Sequence, residues 1–419
     1  MTPQTTKHED NRTAMLIRGL VILLCAGIIN SVSVFVSPLA KYYGWETSAI
    51  ANVGTTMLTF WPIGAIIGGK LLSKFGGKIA AITGAIIFGL GLIFTSMVPQ
   101  SNPGLIYFTF SCMIGLGNGI AYTGAMYCVM GWFPDKKGFA AGLCMAFNGG
   151  SSAFLAPLCA YLTAATNIRV CLITAGAVCA VVSILAGLGL RSAPVGYIPT
   201  GYVAPANSKE ALSSQYESWP ISRAVKTKQF WLQCAAMAFF PAFYLIMFSR
   251  FSVFMTDKGI NLAYATLGVS IYNIGNVVGR LGLGTLIDKI GFKKVYSCCW
   301  ALCMICGVCL LSGNSVLPIL VAYFCLGAGF GATNSVYPVM STTSFGPVYA
   351  GNVYGFALLG YLAGTQIIPR ISAATIATSG TYTIAFVLAF ILCTLGLGCG
   401  WLIPKLERKR LSELTNEAK

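Results

Sequence analysis

Arg280 stands near the middle of an apolar stretch, Leu262 to Ile287, with no acidic residue beside it. A guanidinium stays charged at physiological pH, and holding one at the centre of a bilayer costs roughly 2.5–3.5 kcal/mol on insertion scales. Its planar fork donates two parallel hydrogen bonds to a carboxylate. With no counter-anion in the stretch, a ligand anion is the expected partner; the alternative is a structural carboxylate brought in from elsewhere in the fold. Asn276 lies one helical turn before Arg280 on the same face, placed to share a ligand or to orient the fork.

Other chemistry is sparse. Of eleven acidic residues, Asp257 comes closest to the interior of an apolar run. It is the candidate proton carrier, against the plainer reading of a solvated loop carboxylate beside Lys258. Arg250 sits about 12 Å outward of the centre of its run and is expected to reach the outer interface by snorkelling. The single histidine, His8, lies in a polar tail. The sixteen cysteines fall in or near apolar runs, and Cys298, Cys299, Cys303, Cys306 and Cys309 crowd one helix, where small apolar packing residues are the expectation. No run holds a cluster of His, Asp or Glu, or a Ser/Lys nucleophile pair. Neither an enzyme, nor a metal, nor a cofactor is expected.

The elements that must position Arg280 are membrane helices. The 419 residues are 56% hydrophobic and only 9% charged, with a mean hydropathy of +0.76, where a soluble chain carries about 25% charged residues. Twelve apolar spans are expected, near residues 16–40, 48–72, 79–99, 104–131, 139–164, 170–190, 228–256, 262–287, 295–313, 316–341, 348–372 and 380–403. They are far longer than the roughly 10-residue strands of a membrane barrel. The expected fold class is all-α integral membrane. The formal charge of +16 does not imply a nucleic-acid partner. The basic residues gather in the N-terminal tail, the loops around Lys70–Lys78, Lys136–Lys137 and Lys289–Lys294, the central loop and the C-terminal tail. Lys41, Arg169, Lys258 and Arg370 alone fall on the other side. The positive-inside rule places both termini in the cytoplasm, with the plasma (inner) membrane as location.

A polar break at residues 191–227 divides six spans from six, with a short helix conceivable around Ser208–Ser218. The expected organisation is an N-terminal six-helix half (1–190), a cytoplasmic linker (191–227), a C-terminal six-helix half (228–405) and a basic tail (406–419). The halves echo each other at an offset near 210–215. Gly69-Lys-Leu-Leu-Ser-Lys-Phe-Gly-Gly-Lys78 answers Gly284-Thr-Leu-Ile-Asp-Lys-Ile-Gly-Phe-Lys293. Gly115-Leu-Gly-Asn-Gly119 answers Leu326-Gly-Ala-Gly329, Tyr127-Cys-Val-Met130 answers Tyr337-Pro-Val-Met340, and Pro134, Gly142 and Pro157 find partners in Pro347, Gly355 and Pro369. Gly275-x-x-x-Gly279 and Gly360-x-x-x-Gly364 carry the small-residue spacing of close helix contacts.

Two similar six-helix halves joined by such a linker resemble the major facilitator superfamily: twelve transmembrane helices, a substrate site near the bilayer midplane between the halves, and alternating access. The family's loop signature is matched by Gly284, Asp288, Lys289, Gly291, Lys293 and Lys294, a candidate conformational latch. The first copy has Ser73 where the family carries Asp. Trp132-Phe-Pro-Asp-Lys-Lys-Gly138, Thr227-Lys-Gln-Phe-Trp231, Asp288-Lys-Ile-Gly291 and Tyr354-Gly-Phe356 are similar to segments of the bacterial oxalate–formate exchangers and the related monocarboxylate transporters.

That resemblance implies that Arg280 binds the substrate carboxylate. It carries over cavity positions to Asn30, Tyr122, Asn148, Phe330 and Asn334, and places Tyr361 where the oxalate exchanger has a second cation. One fixed positive charge suits one carboxylate, so the expected cargo is a small monocarboxylate such as lactate or pyruvate. Single asparagines here also read as glue between helices. Animal relatives carry an Asp at the position of Asn276, which cannot titrate, and Asp257 remains the membrane-proximal candidate for coupling to protons. The expectation is a monomeric symporter of a monocarboxylate and a proton, with the lipid bilayer as its other partner. A carboxylate–carboxylate exchanger is the alternative, and a sensor that binds without transporting is a more distant one.

Overall fold

The computed structural model describes every residue except 1–2, 46, 103, 195–196, 198, 200–217, 249–253, 256–257, 261, 313–314 and 418–419. The described residues are helical with connecting turns and contain no strand. Among them, ten helices are long and apolar enough to cross a membrane. Two more, Leu262–Ile290 with its π-helical interruption and Ala350–Ser379, occupy the remaining expected spans. Large apolar side chains face outward along these helices, among them Leu317 (72% exposed), Val308 (69%) and Leu185 (64%). That pattern suits hydrocarbon as the surrounding medium, since soluble monomers rarely present contiguous apolar surface beyond a few hundred Å².

The chain divides into two compact units. Unit 1 comprises Met1–Asp135, Leu143–Pro220 and Phe345–Phe356, and unit 2 comprises Lys136–Gly142, Ile221–Ser344 and Ala357–Lys419. Short pieces flanking the Asp135–Lys136 and Ser344–Phe345 junctions thus cluster away from the bulk of their own sequence half. Arg250, Asp257 and most of the 208–218 segment lie outside the described residues.

Glycine spacing sets the packing inside each unit, and the duplication shows in what each glycine touches. In unit 1, a Cβ on Gly115 would strike the Met57 backbone, one on Gly117 the Phe88 backbone, and one on Gly119 the backbone between Trp61 and Ala65. In unit 2 two of the three counterparts 212 residues later, Gly327 and Gly331, behave alike. Gly327 abuts the Tyr272 backbone, Gly329 approaches Cys299 and Cys303, and Gly331 abuts Asn276. Gly275 and Gly279 close the same seam from the other side, against Phe324 and Ala328, while Gly360 and Gly364 close on Cys234 and Ala238. Only hydrogen fits where backbones come this near, so each helix of a pair is held at close range by shape.

Several spans are interrupted rather than smooth. The first passes from Pro3–Ala26 through a 3₁₀ turn, Gly27–Ser31, into Val32–Tyr43. The seventh breaks between Lys228–Phe239 and Ala242–Phe248 at Pro241, whose ring nitrogen cannot donate to the helix ladder. The eighth runs Leu262–Val278, changes to a π-helix over Gly279–Leu283, and resumes as Gly284–Ile290. The last helix, Thr383–Glu417, continues through the basic tail, where Leu, Glu, Lys and Arg are all good helix formers.

Candidate functional site

Arg280 lies inside the π-helical turn of the eighth span. A π turn widens the ladder and re-aims side chains, and such turns are frequent at functional sites. The half-buried Arg280 keeps its backbone in a crowded seam: its carbonyl accepts the Ser335 hydroxyl at 3.4 Å and faces Gly142. Upstream on the same helix, Tyr272, Asn276 and Arg280 are spaced four residues apart, hence on one face. The Asn276 amide donates to the Tyr272 hydroxyl at 3.3 Å.

Aromatic rings continue the site inside unit 2. Tyr272 stacks on Tyr244, with centroids 5.8 Å apart, and Tyr244 stacks on Phe330 at 3.6 Å and 15°. The charge of Arg280 acts electrostatically on Tyr244, Tyr272 and Tyr361. Asn334 follows Phe330 by one turn, and its amide donates to the Phe330 carbonyl at 3.1 Å. A small apolar void behind the rings is lined by Phe240, Pro241, Tyr244, Leu326, Phe330 and Thr333, among others. Unit 2 therefore gathers a permanent cation, three phenols and two amides on apolar backing. That set offers a carboxylate charge neutralisation and hydrogen-bond donors, with ring faces for a short carbon chain.

Of the expected binding residues, unit 1 holds Asn30, Tyr122 and Asn148. The Asn30 amide donates to the Gly27 carbonyl (3.1 Å) and the Asn148 carbonyl (3.0 Å), and the Asn148 amide donates to the Leu23 carbonyl (3.2 Å). Both spend their N–H groups on bonding around the 3₁₀ turn, which is the helix-glue reading of these residues. The Asn118 amide likewise donates to the Ala26 carbonyl. The Tyr122 hydroxyl contacts the Met145 sulfur at 3.0 Å, one turn before Asn148, and its ring lies 5.4 Å from Trp61. The residue pairs Tyr122 and Asn334, and Asn148 and Tyr361, are 212 and 213 residues apart. The duplicated units thus place candidates at corresponding positions.

The loop signature falls in unit 2. The Asp288 carboxylate accepts the Gly138 and Phe139 backbone N–H groups at 2.7 and 2.8 Å, which caps the first turn of the Lys137–Gly150 helix. Gly284 packs against Gly138 and Gly142, and Gly291 turns the chain at φ 82°, in the left-handed region. Lys293 lies over the Trp401 ring at 4.2 Å, while Lys289 is exposed. In unit 1 the first copy differs as its sequence does: the Ser73 hydroxyl donates back to its own helix at the Lys70 carbonyl, 3.1 Å away.

Tyr244, Tyr272 and the π turn were not among the residues singled out from sequence. Tyr272 carries a usable signal, since it continues the Arg280–Asn276 face by one more turn. Tyr244 carries none, because an aromatic in an apolar span reads as packing until the fold brings Phe330 onto it.

The sequence profile of the Major Facilitator Superfamily matches residues 19–269 and 251–419. The oxalate:formate antiporter of Oxalobacter formigenes is 25% identical over 432 aligned positions, covering 100% of this chain and 98% of that protein. Human monocarboxylate transporter 12 is 22% identical, covering 96% of this chain and 83% of its own. The crystal structure of a single-residue variant of the E. coli fucose:proton symporter FucP superposes with a TM-score of 0.70 at 14% identity, over 93% of this chain and 98% of FucP. That last likeness bears on the fold alone.

Proposed function

We propose that this chain, which belongs to the Major Facilitator Superfamily, moves a small monocarboxylate of the lactate or pyruvate kind together with a proton by alternating access. It is a multi-pass membrane transporter, not an enzyme, and it carries small molecules across a lipid bilayer. The proposed location is the plasma (inner) membrane with both termini cytoplasmic. The observation that carries the reading is the setting of Arg280: a cation on a π turn, beside Asn276 and within electrostatic reach of Tyr244, Tyr272 and Tyr361. In the proposal the fork takes the carboxylate, the phenols and the Asn276 amide orient it, and Phe330 backs the carbon chain. Asn334 in unit 2, and Asn30, Tyr122 and Asn148 in unit 1, are the remaining proposed substrate-binding residues.

Cotransport of a proton fits the electrostatics. An anion and a proton together move no net charge against the membrane potential, which otherwise costs about 2.3 kcal/mol per charge per 100 mV. Asp257 is the proposed proton site. Exchange of one carboxylate for another is the second reading, favoured by the oxalate:formate antiporter's coverage of the whole chain. It too keeps Arg280 neutralised at every step. Proteoliposomes with an imposed pH gradient and no internal anion separate the two. A symporter accumulates L-lactate there, whereas an obligate exchanger accumulates nothing until an internal carboxylate is supplied.

A further inference from the structure

Asn334 has the two ends of its amide fixed unequally. Its Nδ2 faces the Phe330 carbonyl at 3.1 Å. A carbonyl has lone pairs and no proton, so the amide oxygen cannot occupy that place, and the N/O orientation follows from the partner's chemistry. Oδ1 therefore lies on the other side of the amide from that carbonyl. It accepts no hydrogen bond from any described residue, and the side chain is half-buried.

The neighbours bring the helix that bears this acceptor against the Arg280 cluster of unit 2. Ser335, the next residue, bonds to the Arg280 carbonyl. Gly331, one turn earlier, abuts Asn276. Phe330 is stacked on Tyr244, which feels the Arg280 charge. A bare carboxylate brings lone pairs only and has nothing to give an amide oxygen. A ligand using both features needs an anionic end and a hydroxyl proton close to it.

We infer that the preferred cargo is a 2-hydroxy monocarboxylate, its carboxylate on Arg280 and its hydroxyl donating to Asn334 Oδ1. The inference rests on Arg280 being the carboxylate site. A 2-keto acid sets a carbonyl lone pair against the amide oxygen, and an unsubstituted acid leaves that oxygen unpaired. Oxalate at neutral pH has no hydroxyl proton to offer. The seam glycines make the acceptor's position firm, because the helix bearing Asn334 cannot slide far along the helix bearing Asn276 and Arg280.

Direct binding to the purified full-length protein tests this with matched pairs: L-lactate against pyruvate, and glycolate against glyoxylate. Each hydroxy acid should bind at least about threefold tighter than its keto partner, the effect of one hydrogen bond. In Asn334→Leu the ratio should fall to near one, with the melting profile checked in parallel. A keto acid that binds the wild type as well as or better than its hydroxy partner overturns the hydroxyl assignment and leaves the carboxylate site standing. An unchanged ratio in folded Asn334→Leu removes Asn334 from the role. If none of the acids binds, or Arg280→Lys binds them as wild type does, the carboxylate reading itself fails and takes this inference with it. Should Asn334→Leu not fold, the wild-type ratios still decide.

Discussion

Replacing Gly331 by alanine perturbs the site without touching any group that would meet a ligand. A Cβ built on Gly331 falls 2.9 Å from the Asn276 carbonyl carbon and 3.0 Å from its Cα, besides striking the carbonyl oxygen. These atoms are backbone and cannot swing aside as a side-chain end would. Carbon–carbon contacts settle at about 3.5–4.0 Å, so the two helices must separate by about 0.5–1 Å. Overpacking of this kind costs about 1–3 kcal/mol, visible as a lowered melting temperature in detergent. The shift also moves Asn276, and Arg280 beyond it, relative to Phe330 and Asn334. A misplacement of about 1 Å can cost 10²-fold in a positioned reaction or binding event, so initial uptake of L-lactate into proteoliposomes should drop about 10- to 100-fold. Gly398→Ala is the matched control: it lies in a helix of the same unit with no heavy atom within 4 Å of the added carbon, and should melt no lower than wild type. If Gly331→Ala melts and transports like Gly398→Ala, the claim that the glycine seam holds the site in register is wrong.

Arg280→Lys keeps the charge and loses the fork. The loss of one charge-assisted hydrogen bond, about 1.5–3 kcal/mol, should raise the apparent KM for L-lactate about 10- to 150-fold in folded protein, and an unaltered KM would remove Arg280 from the binding role. Tyr361→Lys adds a second cation to the group and should shift competition toward oxalate and other dicarboxylates; the same competition profile as wild type would refute the charge-counting argument. Asp288→Ala removes the cap on the first turn of the Lys137–Gly150 helix and should cost about 0.5–2 kcal/mol, measured as a fall in melting temperature. Asp288→Asn, which can still accept one of the two N–H bonds, should lose less.

Much of the fold was legible because hydrocarbon imposes coarse demands on composition. Helices must be about 20 residues long and apolar, and a duplicated chain repeats its glycines. The Gly115–Gly119 segment could be matched by eye to Leu326–Gly329, and the structure gives the reason, since each segment meets a corresponding helix in its own unit; Gly331, the partner of Gly119, lay just beyond the matched stretch. The site was less legible. Arg280 stands out because a cation in lipid is costly, and Asn276 follows from helical spacing. The π turn has no such mark: Gly279, Gly282 and Gly284 permit it without requiring it. Asn30 and Asn148 show a different limit, because sequence identifies an amide but not which of its ends is already committed. Their N–H groups turn out to serve carbonyls around Gly27–Ser31, a demand that exists only once the first helix changes its hydrogen-bonding pattern there. Asp257, outside the described residues, rests on sequence alone.

The π turn that carries Arg280 also fixes the bearing of everything after it. Such a turn accommodates an extra residue within the winding, and each residue of an α-helix advances its face by about 100°. Removing Leu281 or Gly282 would let the span wind as an unbroken α-helix. Gly284 would then rotate out from under Gly138 and Gly142, and Asp288 would swing off the N–H groups it caps. Arginine upstream and aspartate downstream therefore keep their separate orientations through one surplus residue. A one-residue deletion there would uncouple the two while leaving both side chains in the chain.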